Sequence, residues 1–339
     1  LFGLIVPAFV ATVLSQTAPP RLDGFLREQI GFTASELREL DTGKVLVKLP
    51  RTTETREVAV FAVMPVGVTA DFFAERVRDI VNFTKSDHVI QSGKFSNPPR
   101  VEDLATLTFE NSDIDALRFC KPKACNVKLP AAAMERFRKE INWSMPNHRE
   151  RATELWKQIL IEYAATYIRE GNKALVEYND KSDAVLLDNE FKTLLQPAAY
   201  TYEYAPDLQK YLEQFPNSRP ADSEDFVYWT KETFGLKPVV SLTHLTMYRH
   251  RQPNRTVVLI ASKGIYASHY LEASLGFTAF VDDDGPGPSY LIYVNRSRSD
   301  ALRGILAGLK KALIGGRVRD GAKKNMELVR KRLEGDSKK

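Results

Sequence analysis

The sequence predicts an α+β fold in which a curved antiparallel sheet grips a long C-terminal helix, with a large helical insertion. Two observations lead there. Toward the C-terminus, runs at about Val239–Tyr248, Thr256–Ser262, Tyr266–Val281 and Tyr290–Asn295 are rich in β-branched and aromatic residues and punctuated by Gly, Pro, Asn or Asp, as strands of a meander are. Leu302, Ile305, Leu306, Leu309 and Leu313 then recur at helical spacing, with no breaker before Gly315-Gly316. A meander that ends in one helix buries the apolar face of its sheet against that helix. Where such a sheet curves, a cavity opens between the two, and a ligand would sit there.

The earlier elements follow in order. Thr33-Ala34-Ser35-Glu36 matches a capping box and starts a short helix carrying Leu37 and Leu40. Lys44–Leu49 and Glu57–Met64 read as strands, the second nearly all apolar. Thr69 caps a helix with Phe73, Val77 and Ile80 on one face, and Val89–Phe95 returns to extended structure with Gly93 as a bulge. From 101 to 235 the period becomes helical. Asn147 precedes a long helix presenting Ala152, Leu155, Trp156, Ile159, Tyr163 and Tyr167, which Gly171 ends. Further helices are expected at Ala184–Leu195 and Pro206–Phe215, and from Asp222 through Phe226, Trp229 and Thr233 to Gly235.

Glu57–Met64, the Thr69–Asn82 helix, the strands from Val239 to Asn295 and the Ser299–Leu333 helix together resemble the START-like, helix-grip superfamily of lipid carriers and polyketide cyclases. The resemblance is one of pattern, and it implies a ligand cavity between sheet and terminal helix. It divides the chain into a signal-peptide remnant (1–18), the N-terminal part of the helix-grip domain (19–100), the helical insertion (101–235), the C-terminal strands and closing helix (236–334) and a disordered tail (335–339).

Composition is that of a globular protein, with 43% hydrophobic and 27% charged residues. Leu1–Leu14 is apolar and uncharged, too short to span a bilayer, and looks like the core of a secretory signal cleaved between Ser15 and Ala18. A periplasmic or secreted location follows. In that compartment Cys120 and Cys125 are expected to form a disulfide around Lys121-Pro122-Lys123-Ala124. The net charge is +5, and Lys310–Lys339 holds eleven Lys or Arg against four Asp or Glu. An exported chain rarely meets nucleic acid, so this basic helix points instead to contact with an anionic membrane surface.

No phosphate-binding Gly loop, His-Glu-x-x-His helix or Gly-x-Ser-x-Gly elbow occurs, so neither cofactor nor metal is expected and no catalytic residue is assigned. Asp282-Asp283-Asp284-Gly285 lacks the alternation of a calcium loop and reads as a turn, and Tyr200, Tyr202 and Tyr204 alternate as a short aromatic strand. Ligand-binding candidates come from strand alternation: His244 and Tyr248 share a face with Val240, Leu242 and Thr246, while Tyr293 opposes Ile292 and Val294. His269 is the fourth candidate. The expected function is an exported binding protein for a hydrophobic or amphipathic small molecule such as a lipid. An enzyme using His244 or His269 for acid–base chemistry and a cell-envelope interaction protein with a filled core are the alternatives.

Overall fold

The computed structural model describes residues 22–52, 54–196, 205–233, 236–252, 255–283, 287–303 and 307–338, with backbone alone for Gln252, Asp283, Ala307, Leu309, Lys310 and Leu313. The leader, the Tyr200–Tyr204 run, Gly235, the Asp284–Pro286 turn, Ile305 and Leu306 lie outside these residues, as do the Leu309 and Leu313 side chains.

The described helices are α1 (Leu22–Glu28), α2 (Ala34–Asp41), α3 (Ala70–Arg78), α4 (Ile80–Phe83), α5 (Asn111–Leu117), α6 (Ala131–Glu140), α7 (His148–Glu170), α8 (Leu187–Leu195), α9 (Pro206–Gln214) and α10 (Ala307–Asp336). The strands are β1 (Leu46–Lys48), β2 (Glu57–Val66), β3 (Val89–Lys94), β4 (Glu177–Tyr178), β5 (Val185–Leu186), β6 (Ser223–Glu232), β7 (Val239–Gln252), β8 (Arg255–Ala267), β9 (Leu271–Asp283) and β10 (Ser289–Ser299). Eight of them form one antiparallel sheet in the order β1-β2-β10-β9-β8-β7-β6-β3, and β4 and β5 pair separately.

Helices cover both faces of this sheet. Phe73, Ala74 and Val77 of α3, Ile80 of α4, and Met326 and Leu333 of α10 pack on Met64, Leu245, Met247, Val258, Ile260, Phe280 and Leu291. Against the other face lie Leu117, Phe137, Trp156, Tyr167, Phe191 and Leu212 from α5 to α9, over Val227, Trp229, Leu242, Ala261 and Leu275. Leu26 and Leu40 of α1 and α2 cover Phe61, Val63, Ile292 and Val294. Each fully buried Leu, Ile, Val or Phe contributes about 1.5–3 kcal/mol, so the sheet is held from both sides.

Several expectations stand in the structure. The Thr33–Glu36 capping box and the Thr69 cap are formed, and Cys120 and Cys125 are bonded. Gly171 ends α7 at φ 66°, where a Cβ would stand 1.9 Å from the Phe215 carbonyl oxygen, so glycine is required both for the turn and for the approach.

Three expectations are corrected. The segment after Asp222 is strand β6, not a helix: Val227, Trp229 and Lys231 face one side and Phe226, Tyr228 and Thr230 the other, a period of two that the spacing of Phe226 and Trp229 alone does not distinguish from a helix. Gly93 does not mark a bulge of its own. The register shift lies between Val89 and Gln91, and Gly93 is small because the Trp229 ring crosses it, 2.6 Å from where a Cβ would be. The closing helix does not begin at Ser299. A 3-10 turn over Asp300–Leu302 comes first, capped by the Ser299 hydroxyl, and α10 then runs through Gly315-Gly316 to Asp336, into the segment expected to be disordered. Gly315 lets the helix approach Leu49, whose Cδ1 would be 3.2 Å from an added Cβ.

Candidate functional site

Alternation puts Tyr228, Thr230 and Glu232 of β6 on the face shared with α3, α4 and α10, together with Ser241 and Thr243 of β7. Ser262 and Gly264 of β8, Ser274, Gly276 and Thr278 of β9, and Tyr293, Asn295 and Ser297 of β10 continue the same face. At one end this face is filled by Met247, Val258, Ile260, Phe280 and Leu291. Away from that end the side chains become small and polar. Ser262 pairs across to Gly276, and Gly276 to Asn295. Interiors pack to about 0.74 of their volume, and a row of Ser and Gly cannot reach that density unaided.

Three groups mark the depth of this region. Burial, then the charge on Glu232, pushes the Tyr293 phenol up to about 12, against a hydrogen bond from Asn295. Burial and the same carboxylate push the Tyr228 phenol up strongly, opposed by a hydrogen bond with Thr243. The Glu232 carboxyl is itself raised by burial, against the Thr230 hydroxyl and the charge of His88. All three nevertheless keep solvent-accessible surface in the half-buried range, as do Ser241, Thr243, Ser262, Ser274, Thr278, Asn295 and Ser297. Tyr228 and Tyr293 also pack against the apolar cluster of this face.

The polar end is ordered from within. Ser297 Oγ donates to Asn295 Oδ1 at 2.6 Å, Asn295 Nδ2 donates to Ser274 Oγ at 3.3 Å, and the two serine hydroxyls are 3.0 Å apart. This ring fixes the Asn295 amide.

The sequence-derived candidates do not converge. Tyr293 lies on this face, but His244 and Tyr248 point to the opposite one, under α7 and α9. His244 is 2% exposed, with Nδ1 2.9 Å from the Tyr167 hydroxyl and Nε2 3.0 Å from Asp225 Oδ1. Thr246 and Tyr211 donate to the same carboxylate at 2.7 and 2.8 Å. Burial pushes the imidazole down, against the hydrogen bond and charge of Asp225. The Tyr248 phenol is raised by burial and by Asp207 and Asp222.

His269 sits apart, between β8 and β9, its Nε2 2.8 Å from Asp113 Oδ2, while Lys237 donates to Asp113 Oδ1 at 2.7 Å. It borders a surface cleft of about 330 Å³ that also holds Lys128, Asp180, Tyr270, Asp300 and Arg303. Among the described residues no three His, Cys, Asp or Glu side chains converge on a point that could hold a metal ion.

Tyr228 and Glu232 are the site residues that sequence reasoning missed. Their signal was present as the alternation Phe226, Tyr228, Thr230, Glu232, hidden by reading the segment as a helix. No family model matches the chain, and neither a curated protein nor a solved structure matches it.

Proposed function

We propose that the chain is an exported carrier that holds a lipid-like amphipath between a curved sheet and the helices α3, α4 and α10. The observation that carries this reading is the set of deep yet accessible polar groups, Tyr228, Glu232 and Tyr293, above a floor of Ser and Gly. The apolar residues beside them, Met247, Ile260 and Phe280 among others, would bury a hydrocarbon body at about 25 cal/mol per Å².

Curvature has its own support. Strands β6 and β10 are separated by β7, β8 and β9, which in a flat sheet puts them about 19 Å apart at the usual strand spacing. The charge of Glu232 on β6 still acts on Tyr293 of β10, which favours a sheet curled around the space between them. The chain order supports a START-like, helix-grip architecture: β2, then α3 and α4, then β3, with β6 to β10 and α10 closing the domain.

The disulfide and the apolar leader support export. On α10, Arg317, Arg319, Lys323 and Lys331 are exposed against Asp320 and Glu327, which supports contact with anionic lipid head groups. Mass spectrometry of small molecules released by denaturing protein taken from its native host tests the carrier reading. A stoichiometric amphipath is the expected result, and protein that is folded, ligand-free and unable to bind any amphipath would refute it.

A further inference from the structure

We propose that Lys263 and Asn172 form a covalent modification site, at which the lysine amine displaces ammonia from the asparagine amide and an isopeptide bond ties the turn after α7 to strand β8. Lys263 Nζ lies 2.5 Å from Asn172 Oδ1, and the lysine is 1% exposed. Asn172 stands in the 3-10 turn Gly171–Ala174 that follows α7. Its Nδ2 donates to the Leu212 and Glu213 carbonyl oxygens at 2.9 Å each. Only an NH2 group can donate to two carbonyls, so the amide is oriented with its oxygen toward the lysine. A carbonyl bond measures about 1.23 Å, which puts the amide carbon no more than about 3.7 Å from Nζ. Held at that separation, amine and amide need no diffusive encounter to react.

The surroundings set Lys263 apart from the other buried lysines. Lys128 pairs with Asp300 and Asp180 at 3.2 and 3.8 Å, and Lys231 with Glu110 at 2.9 Å. Lys263 has no ion pair among the described residues. Its Nζ is 3.8 Å from the centre of the Phe191 ring and 5.6 Å from that of Tyr167. The charge of Asp188 on α8 acts on it, and His244 faces it in register from β7. Burial pushes the amine down to about 7, so near neutral pH much of it carries the lone pair that attack on an acyl carbon needs. The apolar setting also keeps water from competing for the amide.

The step balances without an oxidant, a reductant or a cofactor. Nζ bonds to Cγ of Asn172, the Cγ–Nδ2 bond breaks, a proton passes from Nζ to Nδ2, and ammonia leaves. The new bond joins residues 91 positions apart. It therefore closes a long loop in the unfolded chain, as a disulfide does, and fastens the outer helices to the sheet.

The test holds the folded full chain at about pH 8, above the folded value of the amine, until its mass no longer changes. Intact mass and tandem mass spectrometry of a digest are then read. The expected result is the loss of one ammonia and a branched peptide joining Asn172 to Lys263. Lys263→Met and Asn172→Ala should each keep the ammonia, which separates the link from ring closure at another asparagine. Unmodified peptides carrying Asn172 and Lys263 from folded wild-type protein would overturn the inference, as would ammonia lost equally from a folded Lys263→Met protein with no branched peptide in the wild type. Should either variant fail to fold, the wild-type peptides decide. None of these outcomes bears on the carrier reading, which the released small molecules decide.

Discussion

The Tyr167 hydroxyl on α7 and Nδ1 of His244 on β7 stand 2.9 Å apart in the interior, and the other ring nitrogen of His244 meets Asp225 on β6 at 3.0 Å. One imidazole thereby ties a helix of the outer layer to two neighbouring strands. Asp225 also accepts from Thr246 and Tyr211, so the cluster joins α7, α9, β6 and β7. Replacing His244 with Leu leaves the Tyr167 hydroxyl and one Asp225 oxygen short of a partner. The expected loss is about 1–3 kcal/mol in urea unfolding, with amphipath binding unchanged because the proposed site lies on the other face. A change in ligand preference without a loss of stability would place His244 in the binding site instead.

Lys263 lies across from His244, 1% exposed, with Nζ donating to Asn172 Oδ1 at 2.5 Å and 3.8 Å from the centre of the Phe191 ring. Burial pushes its amine from 10.5 down to about 7. The folded value is below the unfolded one, so between these limits the unfolded chain binds the proton more readily and stability rises with pH. Each pH unit adds up to about 1.4 kcal/mol. From pH 7 to 9.5 the wild type, not yet linked to Asn172, should therefore gain stability relative to Lys263→Met. At pH 7 the variant should be the more stable by about 1–3 kcal/mol, since a buried amine hydrogen-bonded to an amide oxygen, with only the charge of Asp188 acting on it, gives way to a packed thioether. Parallel pH profiles would show that Lys263 finds a charged partner or water in the fold.

Gly93→Ala places a methyl 2.6 Å from Trp229 Nε1, and that nitrogen is held by the Asp103 carbonyl oxygen at 2.8 Å. The ring cannot move without breaking this bond. Thermal or urea unfolding should show a loss of about 1–3 kcal/mol, the usual cost of overpacking. A neutral substitution would mean that Trp229 shifts freely.

Reduction of Cys120–Cys125, or the double change to Ser, opens a short loop whose backbone is tied to Asn179 and Asp180 by Lys123 N at 2.7 Å and Cys125 N at 3.1 Å. The chain-entropy model gives about 2 kcal/mol for a loop of this size. Equal midpoints of urea unfolding with and without reductant would show that the loop is equally ordered without its bridge.

Legibility followed the kind of information each element needs. Strands β7 to β10 were readable because long β-branched runs end at turn residues, and the α3 helix because Thr69 caps it. The helices α7, α8 and α9 were readable from their period, with starts or ends marked by Gly171 and Pro206. Strand β6 was not, since both of its faces are covered by apolar neighbours and the three-residue spacing of Phe226 and Trp229 reads as one face of a helix, and with it Tyr228 and Glu232 were lost to the candidate site. Alternation placed His244 with Thr246 and Tyr248 correctly, but it gives only relative faces. Which face looks toward α3 and α10 depends on contacts far apart in sequence, so Tyr293 and His244 could not be separated before the fold was known.

The proposed internal space is tested most directly by filling it. Ser262 lies at the centre of the small-residue floor, opposite Gly276 and beside Leu245 on β7. Ser262→Leu should lower saturable binding of an apolar dye by about tenfold or more while leaving the urea midpoint equal or higher, because under the carrier reading the added carbons take up the ligand's space. A loss of about 1–3 kcal/mol in stability with dye binding intact would mean that Ser262 is already packed, and would contradict a cavity between this sheet and its helices.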